Sequence, residues 1–291
     1  MLTMIIINGM VTAGQYAILS IGFSLVFGTA RILNLAHTAF YMIAGFILLF
    51  GTTRLDLSYL TSSALLAVPI VSILGIVCYK IFFERIKEHQ IAVIIVATGL
   101  VILFQEIFLI LFEGHYRGIP PFLEGYIEIF SVRVTYQHLF AISMCSITIV
   151  GTWLLLSYTK LGFAIRAVSQ DSEVANVFGI NVNRICLITM GISTFLASVA
   201  AVAVVPILVV HPLMWAQPLI VVLAAVILGG LGSIKGVIIA SIILGFTEST
   251  IIFLVPGGAF LKSVISLTVM VVILLIKPEG MFGVVFEEER L

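Results

Sequence analysis
A chain of 291 residues that is 62% hydrophobic and only 10% charged falls far short of soluble domains, in which roughly a quarter of the residues are charged. That composition excludes an ordinary soluble globule and points to an all-α, polytopic helical membrane protein, with membrane lipid as its surroundings. Basic and acidic residues balance at 14 each, so no electrostatic case exists for nucleic acid as a partner.

Residues 1–29 lack a basic leader and run too long for a signal peptide, so they read as a first span. With about 20 apolar residues per crossing, the spans fall at roughly 4–29, 35–51, 57–83, 91–112, 137–157, 185–210, 218–232, 237–255 and 262–276. The seventh and eighth are short and meet at GGLGSIKG, residues 229–236, so broken or re-entrant helices are expected there. The expectation is about eight to ten segments in one transmembrane domain covering 1–291.

Stretch 22–45, GFSLVFGTARILNLAHTAFYMIAG, and stretch 225–249, AVILGGLGSIKGVIIASIILGFTES, share a plan. Each is an apolar run, a Gly-bearing break with one basic residue, and a run rich in small residues. Paired interrupted segments of this kind suggest a pseudo-repeat with a solute path at its interface. The ionisable residues within the spans are His37, Glu106 and Glu248, with Asn34 and Gln105 as neutral neighbours. Such groups are costly in lipid and face a cavity or a partner, which makes all five candidates for a translocation pathway. Asn34 and His37, three apart, share a helical face. A satisfied structural histidine, and helix–helix hydrogen bonds made by the two acids, explain the same residues without a pathway. Small residues at Ala44, Gly45, Ala97 and Gly99, and the set Ala197, Ser198, Ala200, Ala201 and Ala203, suit close helix packing.

The loop 113–136, with Pro120 and Pro121, reads equally as a docking surface and as a solvated connector. Cys78, Cys145 and Cys186 form no CxxC and no metal spacing, and read as small buried residues. No HExxH, GxSxG or His/Cys cluster is present, and GGLGSIKG has the wrong spacing for a phosphate loop. If ATP drives this protein, another chain hydrolyses it.

The longest charged interruption of the C-terminal half is 158–184, YTKLGFAIRAVSQDSEVANVFGINVNR. Asp171 can cap a short helix, Glu173 sits in its first turn near the positive end of the dipole, and Gly179 supplies a left-handed stop. Val174, Val177 and Phe178 fall at i, i+3 and i+4 and make one apolar stripe. The pattern suits an ordinary interfacial helix or a coupling helix docked on an ATPase. An outside N-terminus and nine crossings put Arg31, Lys80, Arg85, Lys87, Lys160, Arg166, Arg184, Lys235, Lys277 and Arg290 on the inner side. Only Arg54, Arg117, Arg133 and Lys262 are left on the outer side. This positive-inside bias places the C-terminus and 158–184 in the cytoplasm.

Several stretches together resemble the permease subunits of branched-chain amino acid ABC importers, a family that includes urea and short-amide importers. Residues 8–45 carry its NG, YA, N-A-H and YM-G landmarks, and AIRAVSQDSEVANVFGINVNR, 164–184, resembles its ATPase-contacting loop. LGGLGSIKGVIIASIILGFTES, 228–249, is similar to the late Gly-rich segment, and IKPEGMFG, 276–283, to the closing signature. The best fit is the H-type subunit. The resemblance implies a related M-type permease as heterodimer partner, two ATPase subunits that bind ATP and Mg, and an extracytoplasmic solute-binding protein, in the plasma (inner) membrane. This chain is then a transport subunit and not an enzyme, with no cofactor of its own. The likeness gives Arg166, Asp171, Ala175, Gly179, Ile180 and Asn181 the coupling role and puts Asn34, Ala36 and His37 in the first broken segment. Thr38 stands where the family commonly has glycine, and Lys235 where GSIPG has proline. Leucine-type amino acids, urea and amides all stay open as substrates. Outside the family, the alternative is a secondary transporter whose coupling proton rides on Glu106 or Glu248.

Overall fold
The computed structural model describes residues 1–129, 132–277 and 280–282. Among them, seven helices are long and apolar enough to cross a membrane. These are α1 (Leu2–Ala30), α3 (Tyr59–Phe83), α4 (Gln90–Phe112), α5 (Tyr136–Tyr158), α8 (Val182–Ile207), α10 (Ile234–Leu254) and α11 (Gly258–Ile276). Two apolar helices are shorter, α2 (His37–Thr53) and α9 (Ala216–Gly229). Between α5 and α8 lie the short helices α6 (Lys160–Gln170) and α7 (Ser172–Val177). The chain is a polytopic helical membrane protein.

The short segments are the second and seventh, not the seventh and eighth. The reason is local capping. Ser233 Oγ accepts from the Gly236 N–H at 3.3 Å and starts α10 at Ile234, restoring a full-length helix. Before it, Gly230 and Gly232 take φ of 95° and 83°, which ends α9. The turn is tight: a Cβ on Gly236 would overlap the Gly229 carbonyl oxygen. At the other break, Arg31 adopts a left-handed φ of 54° and stops α1. Asn34 Oδ1 then accepts from Ala36 N–H at 3.2 Å, turning the chain into α2. The two interrupted stretches thus run in opposite order, long helix then short at 22–45, short then long at 225–249.

α1 lies at the centre, packed on α8 and α10, with most of its length buried. Contact with α10 is close because a Cβ on Gly245 would fall 2.6 Å from the Ala13 backbone nitrogen. The alanine-rich face of α8 is equally dry, with Ala197, Ser198, Ala200, Ala201 and Ala203 all buried. Gly99 departs from the packing expectation. It faces outward, and a Cβ there would meet nothing within 4 Å.

Long-range bonds fix which helix ends share a side. Cys186 Sγ reaches the Thr29 carbonyl at 3.6 Å, so the end of α1 meets the start of α8. At the opposite end, Ser249 Oγ donates to the Ile5 carbonyl at 2.9 Å and the Tyr59 hydroxyl to that of Val202. One end of the bundle thus carries Arg31, Lys80, Arg85, Lys87, Lys160, Arg166, Arg184, Lys235 and Lys277, together with α6 and α7. Arg54, Arg117, Arg133 and Lys262 fall at the other. Arg290 lies outside the described residues, as do Pro278, Glu279 and Gly283 of the closing signature. Met281 and Phe282 donate backbone N–H groups to the Leu228 and Gly229 carbonyls, covering the Gly-rich turn.

The 113–136 connection is not featureless. β2 (Tyr126–Ile129) pairs antiparallel with β3 (Val132–Thr135), and β1 (Arg117–Gly118) pairs with β4 (Val209–Val210), which follows α8. The second pairing ties the loop to the turn before α9.

Candidate functional site
At the end of the bundle bearing Lys262, a cavity of about 340 Å³ opens between α1, α2, α9, α10 and α11. Its polar end is built around Glu248, on α10, whose side chain is 1% exposed. Tyr16, on α1, donates its hydroxyl to Oε2 at 2.7 Å. Gln217, on α9, donates through Nε2 to Oε1 at 2.8 Å and to the Tyr16 hydroxyl at 3.0 Å. Lys262 Nζ, on α11, stands 3.4 Å from Oε1. A carboxylate this deeply buried persists only with donors around it, and here three helices besides its own supply them. The apolar lining includes Leu208, Leu213 and Met214. At the mouth, the His211 ring lies 4.8 Å from that of Tyr116, and burial lowers its proton affinity. The buried Tyr41 hydroxyl also borders the cavity. With Gln15 as its polar neighbour, it has no well-formed hydrogen bond among the described residues.

Of the five pathway candidates, Glu248 alone lines this cavity. His37 is buried, with Nε2 2.9 Å from the Leu19 carbonyl and Nδ1 3.0 Å from Ser193 Oγ. A carbonyl only accepts, so Nε2 carries the proton and the serine hydroxyl donates to Nδ1. Both nitrogens are occupied in joining α2 to α1 and α8. Asn34 is buried beside Met190, at 3.6 Å from its sulfur, and shapes the turn. Gln105 Nε2 donates to Glu106 Oε1 at 3.1 Å, and Gln105 Oε1 accepts from Trp215 Nε1 at 2.9 Å. Glu106 itself faces outward from α4. Thr38 is buried, and its hydroxyl finds no partner among the described residues. The sequence does not join Tyr16, Gln217 and Lys262 to Glu248, because each stands on a different helix and only the packing of those helices brings them together.

The opposite end carries the 158–184 elements. Thr159 Oγ1 accepts from Gly162 N–H at 3.0 Å and caps α6, which buries Gly162, Ile165 and Val168. The Arg166 guanidinium lies 4.6 Å over the Phe163 ring. Asp171 Oδ1 then accepts from the N–H groups of Glu173 at 2.9 Å and Val174 at 3.0 Å, starting α7. Gly179, with φ of 83°, ends the turn; its N–H donates to Asn176 and that of Ile180 to Ala175, both at 3.0 Å. Asn181 Oδ1 accepts from Arg184 N–H at 3.0 Å and opens α8. Ala175 faces inward, whereas Val174, Val177 and Phe178 are 49%, 85% and 82% exposed. An open polar cleft of about 570 Å³, bordered by Lys87, Glu173 and Asn183, lies beside α7.

The described residues hold no group of three metal-ligating side chains. The model of the family described as "Branched-chain amino acid transport system / permease component" matches residues 5–274. The high-affinity branched-chain amino acid transport system permease protein BraD of Pseudomonas aeruginosa is 27% identical, over 96% of this chain and 94% of its own. LivH of Escherichia coli K12, a permease protein of the same description, is 26% identical, over 95% and 94%. A solved structure, PsaBC from Streptococcus pneumoniae in complex with Fab, superposes with a TM-score of 0.54 over 94% of this chain and 92% of that one. At 15% identity, that likeness concerns the fold alone.

Proposed function
The chain belongs to the branched-chain amino acid transport permease family, and from that premise we propose that it is the membrane subunit of an ATP-driven, binding-protein-dependent importer of branched-chain or related amino acids. The observation that carries the reading is the Val174, Val177 and Phe178 stripe, left bare at the end of the bundle where basic residues collect. An apolar patch in so exposed a position suits a protein partner. In this reading, two ATPase subunits that bind ATP and Mg dock there, with Arg166, Asp171, Glu173, Ala175, Gly179, Ile180 and Asn181 holding α6 and α7 in place. A second, M-type permease completes the membrane unit, and a solute-binding protein delivers cargo at the Lys262 end. The N-terminus is then extracytoplasmic and the stripe cytoplasmic, in agreement with the charge asymmetry.

ATP-driven closure would switch access to the Glu248 cavity, provided α7 meets different contacts in the two states. The test is uptake of radiolabelled leucine by proteoliposomes holding the whole complex, with ATP at the ATPase face and loaded binding protein at the other. ATP-dependent uptake is expected. Uptake by this chain alone in a proton gradient would instead favour a secondary transporter.

A further inference from the structure
Resting on the importer reading, we propose that Glu248 and Lys262 form a two-point subsite that takes an amino acid as its zwitterion. The cavity, about 340 Å³, falls within the range of roughly 300–1,000 Å³ usual for small-molecule sites. It offers one fixed negative group, one mobile positive group and an apolar wall. Glu248 is the fixed group, its two oxygens held by Tyr16 and Gln217. Lys262 is the mobile one, with a 30% exposed side chain and a single contact to Glu248 at 3.4 Å. A long flexible stem lets its ammonium swing away.

The pair as it stands is a closed circuit that only a dipolar solute can enter without loss. An incoming ammonium takes the place of Nζ on Glu248 Oε1, and the freed Lys262 takes the incoming carboxylate. Each charge keeps an opposite partner throughout. A simple cation leaves Lys262 unpaired, and a simple anion strands a buried carboxylate, the more costly outcome. A neutral amide or urea has no charge to offer either group. Leu208, Leu213 and Met214 then receive an aliphatic side chain. Among the solutes carried by the wider family, the subsite therefore selects amino acids.

The test reads occupancy apart from transport. Leu213 is exposed in the cavity lining, while Cys78, Cys145 and Cys186 are buried. Leu213→Cys in the full complex therefore adds an accessible thiol to this chain, and its modification by a neutral methanethiosulfonate is followed on this subunit alone. L-Leucine is expected to slow its modification, and acetamide and urea are not. In Glu248→Gln and Lys262→Gln backgrounds, the half-protecting leucine concentration should rise about tenfold or more, as loss of a charged hydrogen bond implies. Each background is its own reference, because protection is read as the ratio of labelling rates with and without leucine, and elution of each complex is checked on the same size-exclusion column. Unaltered protection in both variants overturns the subsite, as does equal protection by acetamide. Leucine uptake without any leucine protection also overturns it and leaves the importer reading intact. Absence of leucine uptake by the unmodified complex removes the importer reading, and the subsite with it.

Discussion
The Asp171 carboxylate accepts from the Val174 N–H at 3.0 Å, so the residue that starts α7 also holds the first member of its exposed stripe. Removing such a cap costs about 0.5–2 kcal/mol of helix stability. Asp171→Ala is therefore expected to loosen α7 while the rest of the bundle, which does not rest on it, keeps its thermal midpoint. Leucine-stimulated ATP hydrolysis by the complex should fall several-fold, and Asp171→Asn should restore most of it.

Phe178 is 82% exposed and Val177 85%, so a charge at either position has no folding consequence within the chain. Phe178→Asp is expected to insert and elute normally and to abolish both transport and stimulated ATP hydrolysis. Assembly of the complex on a size-exclusion column shows whether the loss lies in docking or in transmission.

Gly236 and Gly99 are both helical glycines with opposite surroundings. A Cβ on Gly236 overlaps the Gly229 carbonyl oxygen, and one on Gly99 meets nothing within 4 Å. Gly236→Ala should destabilise by about 1–3 kcal/mol, as overpacking does. Gly99→Ala should be neutral or stabilising by up to about 1 kcal/mol. Thermal unfolding in one detergent, measured side by side, checks both.

Ser193 is the partner of His37 Nδ1 at 3.0 Å. Ser193→Ala leaves that buried nitrogen without its donor, a loss of about 1–3 kcal/mol. A lower thermal midpoint with leucine uptake retained is the expected result for a structural histidine. Abolished uptake at an unchanged midpoint would assign His37 to the pathway.

What the sequence made legible was local. Asp171, Gly179 and the Val174, Val177 and Phe178 spacing are set within one turn or two, where capping and periodicity act. Glu248 stood out because a carboxylate in an apolar run demands an explanation. Its partners did not. Tyr16 lies 232 residues away along the chain, and Lys262 reads as an end-of-span charge until α11 folds beside α10. Gln105 and Glu106 are adjacent, hence on different faces of α4, and hydropathy cannot tell which face is turned outward. Residues 35–51 read as a span and α2 is found there at His37–Thr53, but its place among the short segments follows only from the Asn34 turn that starts it late. α6 carries a readable stripe of its own, Leu161, Ile165 and Val168 at i, i+4 and i+7 with Lys160, Arg166 and Gln170 off it, but it follows α5 after the single residue Thr159 and so merges with that span's end.

The most direct measurement places a photo-crosslinking amino acid at Phe178 of the intact complex in cells, with Val255, at the opposite end of the bundle, as control. Position 178 is expected to give an adduct with the nucleotide-hydrolysing subunit, its yield changing with ATP, and position 255 none. An adduct only with lipid or with an extracytoplasmic protein at 178 would contradict transmission of ATP-driven movement through α7.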